Sequence, residues 1–134
     1  MTAYRTRVDR LSIAPAWRVA SLAVALLVQK FGGTSVGDPE RIRNVADYVA
    51  RCVRRGDRIV LVVSAMGKET DDLLRLANDV SATRPGREMD MLITAGERKA
   101  IALMCMALAD LGVEAESYTG SCLLYTSVEA DELP

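Results

Sequence analysis

The stretch RIVLVVS, residues 58–64, restricts the fold of this chain more than any other part of the sequence. It contains five consecutive aliphatic residues, four of which are β-branched. A strand with apolar side chains on both faces needs cover on both faces, which is typical of a central strand in a parallel sheet. The stretch therefore predicts an α/β fold.

A second apolar run, residues 23–30, predicts another buried strand. Two glycines that follow the run mark the end of this strand. The helix after it has signals at both ends: Asp38 suits the N-cap, Pro39 suits the first helical position, and Gly56 ends the helix. One face of this helix is apolar at helical spacing, through Ile42, Val45, Ala46, Val49 and Val53. The arginines on its other face, Arg41 among them, are interpreted as solvated.

The rest of the chain is expected to add helices and one strand. Helices are predicted from about residue 70, over residues 87–93 and over residues 97–111, and a third strand over residues 113–118. Strands that alternate with helices through short connections indicate a parallel sheet with helices on both faces. Three parallel strands are few for such a sheet, so we expect the chain to form part of a domain.

The composition excludes several classes of site. The chain has 134 residues and no histidine, which removes histidine-based zinc sites, Ser-His triads and Cys-His dyads. The net charge is −1 and aromatic residues make up 4%, so nucleic acid and anionic membranes are not expected partners. The three cysteines lie far apart without a Cys-x-x-Cys motif, which predicts reduced thiols in a cytoplasmic protein.

The first 23 residues are interpreted as a leader outside the fold. They contain four arginines and run into an apolar stretch that imitates part of a secretion signal. Cleavage there would cut into the strand that leads to Lys30, and the stretch is too short to span a bilayer. We therefore expect a disordered leader over residues 1–23 and no membrane contact.

The segment KFGGTS, which begins at Lys30, lies where the first strand turns into a helix. Glycines at such a turn let the backbone approach a bulky anion, and the lysine supplies a compact positive charge. The carboxyl ends of parallel strands are also where α/β proteins bind ligands. The Walker pattern and G-x-G-x-x-G are both absent. Spacing alone leaves two interpretations open, a phosphate site and a plain Gly-Gly turn with a solvated lysine.

The segment VVSAMGKET, residues 62–70, repeats this layout at the end of the second strand. Its alternative interpretation is an ordinary strand-to-helix turn in which Thr70 caps the helix. Two such turns on neighbouring parallel strands would face one crevice, which favours the phosphate site at both. In TAGER, residues 94–98, Glu97 is either a first-turn acid that stabilises a helix end or a partner for a substrate ammonium group.

Four segments together resemble the N-terminal part of the aspartate kinase family in order and spacing. They are VQKFGGTSVGDPERIRNVADYV, VLVVSAMGKETDDLL, REMDMLITAGERKAIALMCMAL and SYTG. The resemblance covers residues 24–121. It implies the amino-acid-kinase fold, a three-layer αβα sandwich with a mainly parallel sheet, here incomplete. It also implies transfer of the ATP γ-phosphoryl group to the β-carboxylate of L-aspartate, the first step toward lysine, threonine and methionine.

The resemblance implies a role for each matching residue of the two turns. Lys30 matches the catalytic lysine that stabilises charge on the transferring phosphoryl group. Phe31, Gly32 and Gly33 match the segment that contacts the ATP phosphates, and Ser64 matches the serine of the second turn. No protein nucleophile is needed, because the substrate carboxylate attacks directly.

The substrate residues and partners follow from the same resemblance. Thr70 and Glu97 match aspartate-binding residues, with Glu97 near the α-ammonium group. Mg²⁺ is expected to bind through the nucleotide, without protein ligands in this chain. The expected partners are L-aspartate and ATP, and the full-length protein is expected to be a cytoplasmic homo-oligomer.

The resemblance ends at Ser121, where the family continues Gln-Ala-Gly and this chain continues CLLYTSVEADELP. We therefore interpret residues 122–134 as a tail that does not match, and we expect the 134-residue chain by itself to be an inactive fragment. Two alternatives remain: a different phosphotransferase of the same fold, acting on another carboxylate, a carbamate or a nucleotide phosphate, and a non-catalytic anion-binding fragment.

Overall fold

The computed structural model describes residues 26–120 and residue 122. Its elements in chain order are β1 (Leu26–Phe31), α1 (Pro39–Arg54), β2 (Arg58–Val63), α2 (Glu69–Val80) and α3 (Gly86–Asp110), with a short 3-10 helix, Gly33–Val36, between β1 and α1. The expected leader and the tail beyond residue 122 lie outside the described residues. No helix in the described part of the chain is long and apolar enough to cross a membrane.

The two strands form a parallel sheet, as the aliphatic runs predict. Leu26 lies opposite Arg58 at one end of the register and Phe31 opposite Val63 at the other. The backbone N–H of Ser64 donates to the carbonyl of Phe31 at 3.2 Å, so pairing continues one residue past β2. The carboxyl ends of both strands therefore meet at one edge of the sheet.

Helix α1 forms as its terminal signals predict and covers one face of the sheet. The Asp38 carboxylate accepts a hydrogen bond from the backbone N–H of Arg41 at 2.9 Å, which caps the helix, and Pro39 is its first residue. The buried core consists of Val36, Ile42, Val45, Ala46 and Val49 together with Met104 and Leu108 of α3. Full burial of a valine or leucine side chain stabilises the fold by about 1.5–3 kcal/mol, so this contact holds α1 and α3 on the same face.

The other face of the sheet is open in the described part of the chain. Val28 is 69% exposed and Val60 is 46% exposed, although both are strand residues of the expected core. Phe31, Ile59, Leu61 and Val63, on the opposite face, pack against the core. The described residues therefore supply the sheet and one helical layer of an αβα sandwich, and not the helices on both faces that the sequence predicts.

Two expectations about the second half of the chain are wrong. Residues 86–110 form one helix, α3, where two were predicted, because Gly96 is buried against neighbouring elements and does not break the helix. Residues 113–118 form no strand. The N–H of Val113 donates to the Leu108 carbonyl at 3.0 Å and so closes the C-terminus of α3, and the following residues have no strand of the described sheet beside them.

Candidate functional site

The two glycine turns at the carboxyl edge of the sheet are in direct contact. The backbone N–H of Gly67 donates to the carbonyl of Gly33 at 3.0 Å. A Cβ atom on Gly33 would lie 2.7 Å from the carbonyl oxygen of Ala65, which is too close for any residue except glycine. Gly67 itself has φ +52°, in the left-handed region that glycine adopts without strain. The turns that the sequence predicts separately therefore form one unit.

Lys30 extends from the open face of the sheet next to this unit. It is exposed, lies opposite Val62, and makes no ion pair with any residue that the structure describes. Side chains alternate between the faces of a strand, so Lys30 shares its face with Val28 and Val60. Ser64 follows the same alternation just beyond β2. The edge thus presents an ammonium group, a hydroxyl group and two glycine turns.

Phe31 has a different position from its neighbour Lys30. Its ring lies on the covered face, where it meets the ring of Tyr48 edge to face with centroids 6.4 Å apart. Its backbone carbonyl accepts the hydrogen bond from Ser64 and so belongs to the sheet. A groove of about 450 Å³ lies on this covered side, lined by Phe31, Thr34, Ser35, Arg41, Asn44, Val45 and Tyr48. Lys30 does not line it.

Arg41 holds the first turn against the start of α1. Its guanidinium donates to the carbonyl of Thr34 and pairs with the Asp38 carboxylate at 3.1 Å. The backbone N–H of Ser35 donates to the carbonyl of Gly32 at 2.9 Å and closes the same turn. Arg41 is exposed, as the sequence predicts, but its contacts with the turn were not predicted. Its spacing from Asp38, three residues within a helix start, was the available signal.

Thr70 and Glu97 lie on two different helices, and the structure contradicts the plainer interpretation of each. The N-cap of α2 is Lys68, without a side-chain hydrogen bond, so Thr70 lies in the first turn and does not cap the helix. Glu97 lies in the middle of α3 and is therefore not a first-turn acid. It is exposed and lines a second groove, of about 770 Å³, with Arg87, Asp90, Thr94, Arg98 and Thr119.

The two helices meet at Gly96, the neighbour of Glu97. A Cβ atom on Gly96 would lie 2.9 Å from Cγ of Glu69 and 3.4 Å from Cβ of Ala65. Lys99 of α3 also forms an ion pair with Glu69. No sequence pattern points to these two charged residues, because they lie 30 positions apart and only the tertiary fold brings them together.

The three cysteines form no disulfide, and two have shifted pKa values. Hydrogen bonding with Thr119 lowers the pKa of Cys122, and the positive charge of Arg98 acts in the same direction. Partial burial raises the pKa of Cys105 within α3. Residues 26–120 and 122 contain no group of three or more Cys, Asp or Glu side chains arranged to hold a metal ion.

Comparison with known proteins finds that this chain is similar to aspartokinases. The aspartokinase of Mycolicibacterium smegmatis is 57% identical over 98 residues, which are 73% of this chain and 23% of that protein. The aspartokinase of Bacillus sp. strain MGA3 is 58% identical over 97 residues, 72% of this chain and 24% of that protein. The chain thus spans about a quarter of the length of these relatives.

A solved structure, the aspartate kinase from Synechocystis, superposes with a TM-score of 0.69 at 52% identity, over 72% of this chain and 17% of that one. The sequence model of the amino acid kinase family matches residues 25–131, which are most of the chain. With the parallel sheet, the covering helices and the two joined glycine turns, these matches show that the chain belongs to the amino acid kinase family.

Proposed function

We propose that this chain is the N-terminal part of the catalytic domain of an aspartate kinase, which transfers the γ-phosphoryl group of ATP to the β-carboxylate of L-aspartate. One observation carries the proposal: Lys30 stands beside two interlocked glycine turns at the carboxyl edge of a parallel sheet. The relatives that match most of this chain bear the name aspartokinase, which supports the choice of substrate.

In this proposal the two turns bind the phosphates of ATP. The backbone N–H groups of Gly32 and Gly33 and the hydroxyl of Ser64 donate to phosphate oxygens, because an unhindered glycine turn lets these donors approach an anion. The hydrogen bond between Gly67 and Gly33 keeps the two turns at a constant separation. The site is therefore organised before the nucleotide binds, and less free energy is lost in ordering it.

Lys30 is the catalytic residue of the proposed reaction. A carboxylate oxygen of aspartate attacks the γ-phosphorus, the bond to the bridging oxygen breaks, and ADP leaves with that electron pair. The product is an acyl phosphate, and no covalent intermediate with the protein is needed. The ammonium group of Lys30 stabilises the negative charge on the transferring oxygens. Mg²⁺, bound through the nucleotide phosphates, would neutralise part of that charge.

Thr70 and Glu97 are proposed to bind the amino-acid substrate. The Thr70 hydroxyl is not used as a helix cap and so remains able to donate to a substrate carboxylate. The Glu97 carboxylate is exposed in the second groove and suits a primary ammonium group. Together they favour an amino acid over a carbamate or a nucleotide phosphate. The resemblance further implies a cytoplasmic homo-oligomer for the whole protein.

The test uses a hybrid kinase in which residues 26–120 of this chain replace the matching segment of the aspartokinase of Bacillus sp. strain MGA3. We expect the hybrid to release ADP from ATP and Mg²⁺ only when aspartate is present. A panel of other amino acids, carbamate and nucleoside monophosphates distinguishes the alternative phosphotransferases. Equal turnover with a substrate other than aspartate would contradict the proposal.

The role of Lys30 is tested in the same hybrid. We expect Lys30→Ala to lower kcat roughly a hundred- to a thousandfold, because one positioned charge on the transition state is lost. Arg43→Ala is the matched control, since it removes one exposed positive charge from α1 away from the turns. Normal turnover in Lys30→Ala would refute the lysine assignment. The 134-residue chain alone, assayed in parallel, tests the expectation that it is inactive.

A further inference from the structure

An ion pair joins α2 to α3 directly beside the two proposed amino-acid-binding residues. The ammonium group of Lys99 contacts the carboxylate of Glu69. Glu69 immediately precedes Thr70, and Lys99 follows Glu97 on the same helix. The pair therefore joins the helix that carries Thr70 to the helix that carries Glu97.

The methylene groups of Glu69 also pack against α3, next to Gly96. Gly96 is buried, and a Cβ atom there would lie 2.9 Å from Cγ of Glu69 and 3.3 Å from Cδ1 of Leu73. The absence of a side chain on Gly96 thus lets α2 approach α3 closely at this point. The Glu69 side chain is only 26% exposed. Its methylene groups fill the space that the absent side chain of Gly96 leaves, while its carboxylate contacts Lys99.

Helix α2 has few other attachments. None of its residues is buried, and its N-cap makes no side-chain hydrogen bond. The other ion pairs among residues 26–120 join near neighbours in sequence, as Asp72 and Arg75 do within α2. In this part of the chain, Glu69–Lys99 is the ion pair that connects two different elements. The ion pair therefore adds to the contact of Leu73 with Gly96 in holding the first turn of α2 against α3.

We propose that the Glu69–Lys99 pair, seated over Gly96, positions Thr70 relative to Glu97 and thereby sets the affinity of the site for its amino-acid substrate. This inference rests on the proposed function. The phosphate half of the site depends on another contact, the hydrogen bond from Gly67 to Gly33. Loss of the ion pair therefore weakens amino-acid binding and leaves nucleotide binding largely intact.

The first test measures KM for both substrates in the hybrid kinase. We expect Lys99→Met and Glu69→Gln each to raise KM for aspartate roughly tenfold, because a small displacement of positioning residues has a large effect, while KM for ATP changes by less than about twofold. Arg75→Gln is the matched control: it breaks an ion pair within α2 that does not reach α3, and aspartate KM should stay the same.

A charge-swapped double variant separates positioning from direct contact with substrate. In Glu69→Lys combined with Lys99→Glu the ion pair can form again, so aspartate KM should return to within about threefold of the parent hybrid. An unchanged aspartate KM in the single variants, an equal rise in both KM values, or a double variant as impaired as the single ones would each overturn the inference.

The second test needs no activity and uses the 134-residue chain. Amide hydrogen exchange in the first turn of α2 should be roughly two- to fivefold faster in Lys99→Met than in the parent chain, since a partly exposed ion pair is lost. Unchanged exchange would show that the pair does not hold α2. If the parent hybrid fails to phosphorylate aspartate, the proposed function fails, and the exchange result still decides whether the two helices are held together by this pair.

Discussion

Replacement of Gly33 by alanine tests the contact between the two turns most directly. The new methyl group would lie 2.7 Å from the carbonyl oxygen of Ala65 and 3.3 Å from that of Gly67. Both neighbours are backbone atoms within a turn, so neither can move away by a simple side-chain rotation. The hydrogen bond from the Gly67 N–H to the Gly33 carbonyl would be disturbed by any shift that relieves the clash.

The size of the effect follows from these two changes. Inserting one methyl group into a packed contact costs about 1–3 kcal/mol, and loss of a backbone hydrogen bond costs about 0.5–1.5 kcal/mol. We therefore expect the free energy of unfolding to fall by about 2–4 kcal/mol. With a slope near 1.3 kcal/mol per molar urea, the unfolding midpoint would drop by roughly 1.5–3 M.

Urea unfolding of the 134-residue chain, followed by circular dichroism, measures this loss. Gly32→Ala is the matched control, because the neighbouring glycine has φ −73° and no atom within 4 Å of a new Cβ. That variant should unfold within about 0.5 kcal/mol of the parent chain or be slightly more stable, since alanine restricts the unfolded state. If Gly33→Ala and Gly32→Ala unfold at the same midpoint, the turns are not in contact as described.

Two further predictions concern the core and the cysteines. Met104→Ala should lower the free energy of unfolding by about 2–5 kcal/mol, because Met104 is only 2% exposed. Met106 lies on the same helix but is 63% exposed, so Met106→Ala should change the free energy of unfolding by less than about 0.5 kcal/mol. Equal urea midpoints for the two variants would contradict the packing of α1 on α3. Cys122 should react with iodoacetamide at lower pH than Cys105, because the pKa of Cys122 lies below the ordinary value of 9.0 and that of Cys105 lies above it. Mass spectrometry of the modified peptides across a pH series measures both reactions. Faster modification of Cys105 than of Cys122 at neutral pH would refute this prediction.

Local signals in the sequence predict α1 and both strands well. Asp38 and Pro39 mark the start of α1, and its buried face coincides with the apolar spacing of Ile42, Val45 and Val49. The aliphatic run before Ser64 predicts a parallel strand, and the register with β1 confirms it. These features are predictable because each is decided by neighbours within one or two helical turns or along one strand.

The signals fail where a distant element decides the conformation. The sequence predicts two helices around the segment TAGER, but Gly96 in that segment lies inside one continuous α3, where it contacts Glu69 and Ala65. Residues 113–118 have the composition of a strand, yet a strand needs a partner for its backbone groups, and none in the described sheet lies beside them. A short apolar run in the sequence does not indicate whether the fold places a neighbouring strand beside it.

The sequence by itself determined the family, the parallel strands and the residues of the two glycine turns, because short specific patterns and local periodicity carry that information. Only the tertiary structure showed that Gly33 and Gly67 interlock, that Phe31 faces the covered side of the sheet while Lys30 faces the open side, and that Glu69 reaches Lys99 across two helices. These facts depend on distances between residues remote in sequence. Close packing of the folded chain sets such distances, and no single segment encodes them.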